Sequence, residues 1–205
     1  MSALTKIVAD KYFAVEQQKG QVPISLLERS VFFEQPAVSL KSTLSNPQNL
    51  GIIAEYKRQS PSKGIIYTPN DVRPITTGYI SAGASALSIL TDIKYFGGSN
   101  DDVTIARKYN ECPILRKDFT IDEYQIIEAK SIGADVILLI AAALDAKQIK
   151  QLGDDKVRFK LALSLHAPTD AKRNEIMPIN ETNNGGRTLY GDLQFSERRV
   201  IPVMS

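Results

Sequence analysis

Three residues carry the chemistry that this sequence offers first: Glu55, Lys57 and Lys117. Glu55 and Lys57 stand in GIIAEYKRQSPSKG, residues 51–64, which opens apolar, turns charged and ends in a Ser/Pro/Gly loop. Alternate side chains of a strand share a face, so Ile53, Glu55 and Lys57 point one way and Ile52, Ala54 and Tyr56 the other. A carboxylate and an ammonium on the buried face of a strand cost free energy unless they pair or work. The same alternation in PILRKDF, residues 113–119, puts Leu115, Lys117 and Phe119 on one face. Taken singly, Glu55 with Lys57 reads as a satisfied ion pair at a strand end, and Ser60-Pro61-Ser62-Lys63-Gly64 as a surface turn. Two lysines closing two apolar strands point instead to an anion site or an acid–base site.

Such side chains need a scaffold, and the hydrophobic pattern supplies one. Residues 3–19 read as a helix with Leu4, Ile7, Val8 and Val15 on one stripe, and Pro23 to Phe33 holds a shorter helical pattern in Ile24, Leu27 and Val31. Pro36 to Asn49 is a polar connection, so this leading segment reads as a lid or plug. After the Gly51 strand, a helix starts near Pro69 to Asp71, with Pro74 tolerable in its first turn. Strands follow at Ala86–Thr91, Pro113–Lys117 and Asp135–Ile140, and helices at Asp101–Tyr109, Asp122–Lys130 and Asp145–Leu152. Helices alternating with near-continuous apolar strands mean an α/β fold with a parallel sheet covered on both faces. GASALSIL, residues 83–90, is echoed by GADVILLI, residues 133–140, as in the repeated units of a barrel. In such barrels the chemistry sits at the C-terminal strand ends, where Lys57, Asp92, Lys117 and the loop after Gly64 fall. A doubly wound sheet alternates in the same way, but no Gly-rich phosphate fingerprint follows the first strand.

Composition narrows the class. The chain has 205 residues, 43% of them hydrophobic and 23% charged, which suits a soluble protein with one good core. A net charge of +2 is too small to argue for nucleic acid. A single cysteine, Cys112, rules out an internal disulfide framework and reads as buried filler. No apolar run approaches membrane-spanning length, so the cytoplasm is the expected compartment.

IIAEYKRQSPSKG, followed by ALSILTDIKYFGGS, PILRKDF and DEYQIIEAKSIGADVILLIAA, resembles indole-3-glycerol phosphate synthase, from the N-terminal helices to about Leu152. The resemblance implies an incomplete TIM (β/α)8-type barrel of four to five parallel βα units, preceded by N-terminal helices and followed by an irregular tail. It implies ring closure of 1-(2-carboxyphenylamino)-1-deoxyribulose 5-phosphate with loss of carbon dioxide and water, and no metal or organic cofactor. Position by position, Lys117 matches the general acid and Lys57 the lysine that holds anionic groups and assists proton transfer. Glu55 matches the carboxylate that orients them. Ser60 lies in the motif lining the substrate carboxylate, Phe96 and Phe119 match apolar walls around the anilino ring, and Leu115 is their neighbour.

Beyond Leu152 the family pattern is not matched, which divides the chain into 1–152 and a foreign or divergent tail, 153–205. GDDKVRFKLALSLHAPTDAKRNEIMPINETNN looks like a fragment of the radical-SAM methyltransferases of ribosomal RNA, but the three cysteines of their cluster are absent. His166 reads as structural, and Gly185 to Ser205 as a poorly ordered end. Val157 to Leu165 still makes a strand; in the fifth position it would put Ser164 where the family carries a catalytic Glu. Impaired turnover is the consequence expected for this chain. The alternative is a non-catalytic half-barrel that binds a phosphorylated aromatic ligand or a partner chain, and open sheet edges predict self-association.

Overall fold

The structure, a computed structural model, describes residues 3–67, 71–154, 160–164 and 200–203. Helix α1 (Ala3–Gln21) leads, followed by the short α2 (Ile24–Leu27) and α3 (Leu40–Ser45). Strands β1 (Ile53–Tyr56), β4 (Ala86–Leu90), β5 (Ile114–Lys117) and β6 (Val136–Ile140) alternate with α4 (Arg73–Ser81), α5 (Ile93–Phe96), α6 (Asn100–Tyr109), α7 (Glu123–Ser131) and α8 (Ala146–Asp154). A two-stranded hairpin, β2 (Gln59–Ser60) and β3 (Gly64–Ile65), follows β1, and β7 (Lys160–Ser164) and β8 (Val200–Val203) end the series.

The main sheet runs β1-β4-β5-β6-β7-β8, and every pairing in it is parallel. This is the expected α/β architecture of a partial barrel. β7 takes the fifth position, with Ser164 opposite Ile140. Helix α8 crosses the Leu152–Gly153 boundary without a break. The end of the chain departs from expectation, because Val200–Val203 pairs with β7 as a sixth strand. Its β-branched residues suit a strand, and as the last strand in the order it tolerates Pro202, which lacks a backbone N–H.

Alternation sorts the sheet's two faces. Outward side chains Tyr56, Leu87, Ile89, Ile114, Ile137 and Leu139 pack with Val103, Ala106, Ile126 and Ile149 of the covering helices. Inward, Ala86, Leu115, Val136 and Leu138 surround Leu40 of α3, with Ile53 and Ile140 beside them. A connection that looked polar thus delivers a fully buried leucine to the inner face, and only Ser39, whose hydroxyl caps α3 at the Ser42 N–H, marks it locally. The second N-terminal helix is shorter than its pattern implied: α2 stops at Leu27, leaving Val31 78% exposed.

The sequence echo is an echo in structure. α4 and α7 both end by turning into a left-handed glycine, Gly83 at φ 99° and Gly133 at φ 89°. In each, the next residue's N–H bonds back to the helix, Ala84 to the Tyr79 carbonyl and Ala134 to the Ala129 carbonyl. The glycine closes the helix and aims the following strand into the sheet.

Candidate active site

Inward positions change from apolar to charged towards the C-terminal strand ends, which builds the site. Glu55, Ser88, Leu115 and Val136 form one row across β1, β4, β5 and β6. Leu90 and Lys117 pair in the row above. Lys117 leans back one row, and its Nζ donates to Glu55 Oε2 at 2.8 Å. Lys57 Nζ donates to Glu55 Oε1 at 3.0 Å, and the Ser88 hydroxyl reaches Oε2 at 3.5 Å. All three charged side chains are half-buried. Burial pushes the Glu55 carboxyl up, but Lys117 and then Lys57 outweigh it and hold the group below the usual glutamate range.

These groups open into a cavity of about 100 Å³, floored by Leu90, Leu138 and Ile140 and walled by Phe96 and Phe119. The two rings lie 6.3 Å apart, tilted by 33°. Leu115 lies beneath this cavity, in the inner core. Ser60 is not brought to the lining: the β2–β3 hairpin carries it off, and its hydroxyl accepts from the Lys63 N–H at 3.1 Å. The hairpin's root is fixed by Arg58, whose Nη2 donates to Asp102 Oδ1 at 2.7 Å while the Ile66 N–H reaches the Arg58 carbonyl at 2.7 Å.

Among the charged residues around the site, Asp92 falls at the strand end where the sequence placed it, whereas Asp118 and Lys11 were not singled out. Asp92 and Asp118 also line the cavity, and both bind Lys11 of α1, at 2.6 and 2.7 Å. Burial pulls the Lys11 ammonium down, yet Asp118 and Asp92 outweigh it and hold it above the ordinary lysine range. Burial likewise raises the Asp118 carboxyl, and Lys11 and Arg116 outweigh that effect. Behind Asp118 lies a buried network. Arg116 donates to the Thr91 hydroxyl at 3.1 Å, the Gln125 carbonyl at 2.9 Å and Glu128 at 2.6 Å, while Thr91 donates to Asp118 at 2.6 Å. A signal for Lys11 existed: it sits four residues from both Ile7 and Val15, the buried face of α1.

Elsewhere, Cys112 is half-buried, and burial pushes its thiol up to about 11, so it is no nucleophile near neutrality. His166 lies outside the described residues. No described helix is long and apolar enough to cross a membrane. Among the described residues, no group of three or more His, Cys, Asp or Glu side chains is placed to hold a metal ion.

The arrangement therefore offers two ammonium groups fixed on one carboxylate, beside a slot between aromatic rings. It can attract an anion, seat a planar ring and hand a proton to an oxygen.

The family model described as indole-3-glycerol phosphate synthase matches residues 4–164. The indole-3-glycerol phosphate synthase of Bacteroides thetaiotaomicron is 41% identical over 201 residues, covering 95% of this chain and 76% of that protein. That of Azospirillum brasilense is 39% identical, covering 98% and 79%, and that of Campylobacter curvus 43%, covering 93% and 76%. With a match over most of its length and a site of this form, the chain belongs to the indole-3-glycerol phosphate synthase family.

Proposed function

We propose that this chain closes the indole ring of 1-(2-carboxyphenylamino)-1-deoxyribulose 5-phosphate, as a carboxy-lyase of tryptophan biosynthesis. The observation that carries the reading is the pair of ammonium groups, Lys57 and Lys117, held on the two oxygens of Glu55 at the mouth of the Phe96–Phe119 slot. The anilino ring enters the slot. Lys117 protonates the ribulose carbonyl oxygen as the ring carbon bearing the carboxylate bonds to the carbonyl carbon. Carbon dioxide then leaves, its bonding pair restoring the aromatic ring, and the new hydroxyl takes up a proton and departs as water while the adjacent CH2 beside nitrogen gives up a proton to form the pyrrole double bond. Lys57 holds an anionic group of the substrate and assists proton transfer, while Glu55 orients both lysines. Leu115 supports the slot from below, and Ser60 stands on the hairpin, away from the cavity lining. No cofactor takes part.

The chemistry is read as residing in residues 1–152, where every described residue lining the cavity lies. The tail's resemblance to a radical-SAM enzyme, over residues 153–184, contributes nothing to this reading, and the family match itself runs on past Leu152 to residue 164. The partner is a small phosphorylated molecule in the cytoplasm, with no role for nucleic acid, and the sheet edges favour self-association.

The test is indole fluorescence formed from the carboxyphenylamino substrate by the wild-type chain and by Lys117→Ala. Turnover that is lost in the variant, with an unchanged circular dichroism spectrum, supports the enzyme. Tight substrate binding without any indole would favour a non-catalytic half-barrel instead.

A further inference from the structure

Lys11 occupies the middle of the buried face of α1, between Ile7 and Val15, where an apolar side chain would dock the helix equally well. Burying an ammonium there is costly, so its two partners matter more than the helix does. Asp92 and Asp118 stand just past the ends of β4 and β5. The other oxygen of Asp92 accepts the Tyr95 N–H at 2.7 Å and caps α5, the short helix that ends in Phe96. The Asp118 oxygen that takes Lys11 also accepts the Phe119 N–H at 2.7 Å. One ammonium therefore ties the backbone carrying Phe96 to the backbone carrying Phe119.

We propose that Lys11 is a positioning residue: through Asp92 and Asp118 it sets the gap between the two aromatic walls, and so the affinity for the aromatic part of the substrate. The inference rests on the proposed function, since it needs an aromatic ligand in that slot. It predicts a loss in ring binding that is separable from α1 docking, because α1 has a second anchor, Lys19 on Asp122 at 2.7 Å, which touches neither ring.

The probe is 2-aminobenzoate, followed by its own fluorescence during titration of the full chain. Lys11→Met weakens binding about fivefold to tenfold, the loss expected when a ring contact is misplaced. Lys11→Arg recovers most of it, and Lys19→Met, which removes a half-buried pair away from both rings, stays within about twofold of wild type. In turnover, Lys11→Met raises KM more than it lowers kcat. If Lys11→Met does not fold, Asp92→Asn decides the question, because its amide oxygen keeps the α5 cap while the ion pair is lost; the same weakening is expected. Unchanged affinity in these variants, or equal weakening in Lys11→Met and Lys19→Met, overturns the proposal. A wild-type chain that forms indole but does not bind 2-aminobenzoate overturns this inference alone, whereas one that forms no indole removes the proposed function and this inference with it.

Discussion

Lys57 and Lys117, far apart in the chain, are bound to opposite oxygens of one carboxylate. Glu55 thus fixes the direction of both ammonium groups as well as their separation. Glu55→Gln keeps the shape but leaves one oxygen and one donor facing two cations. Indole formation should fall by about 10²-fold, a general-acid-sized effect, measured as kcat/KM on the carboxyphenylamino substrate.

The same carboxyl has a stability signature. Its pKa is lower in the folded chain than the ordinary glutamate value of 4.5. It therefore stabilises the fold above that value, and the contribution disappears as pH falls through the depressed folded value. Urea unfolding measured from neutrality into acid should show a shallower acid limb for Glu55→Gln than for wild type.

Arg116→Met should be among the most damaging single changes. It strands Glu128, buried and at 2.6 Å from the lost guanidinium, and takes donors from Thr91 and Gln125. Breaking one side of such a pair costs about 3–5 kcal/mol. Adding Glu128→Leu should restore much of the loss, which urea denaturation of the single and double variants will measure.

Phe119→Leu removes a half-buried ring from one wall of the slot without opening the core. KM should rise several-fold with kcat little changed, as when binding common to ground and transition states is lost. Unaltered KM would remove the ring from the substrate's path.

Two glycines give opposite expectations. A Cβ at Gly98 would be driven into the carbonyl oxygen of Leu90, backbone that cannot yield, so Gly98→Ala should cost about 1–3 kcal/mol. At Gly20, within α1, an added methyl would meet nothing within 4 Å, and Gly20→Ala should stabilise the chain by about 0.4–1 kcal/mol. Thermal melts of the two variants will separate them.

The sheet and its charged mouth were legible because a strand's alternation is strict. Once Glu55 and Lys57 share a face and Lys117 ends a parallel neighbour two strands away, their meeting follows from geometry. The glycines at 83 and 133 were legible for a similar reason, each closing a helix before a near-identical strand. Lys11 was missed because a charge breaks an apolar stripe, although its spacing from Ile7 and Val15 marks it as buried. Leu40 was hidden in a polar segment whose helix is only six residues long. The β2–β3 hairpin matches the local reading of Ser60 to Gly64 as a surface turn, and only the family resemblance drew Ser60 to the cavity. Long-range pairing, with no period to announce it, decides these cases.

Helix α1 precedes every strand in chain order, yet its ties to the rest of the fold span great lengths of chain: Lys19 and its partner Asp122 are 103 residues apart. Closing so long a loop is slow relative to forming neighbouring strands. The strands can therefore assemble before the helix docks, and the slot between the rings reaches its final width only at that last step. A nascent chain would gain its parallel sheet early and its capacity for ligand late.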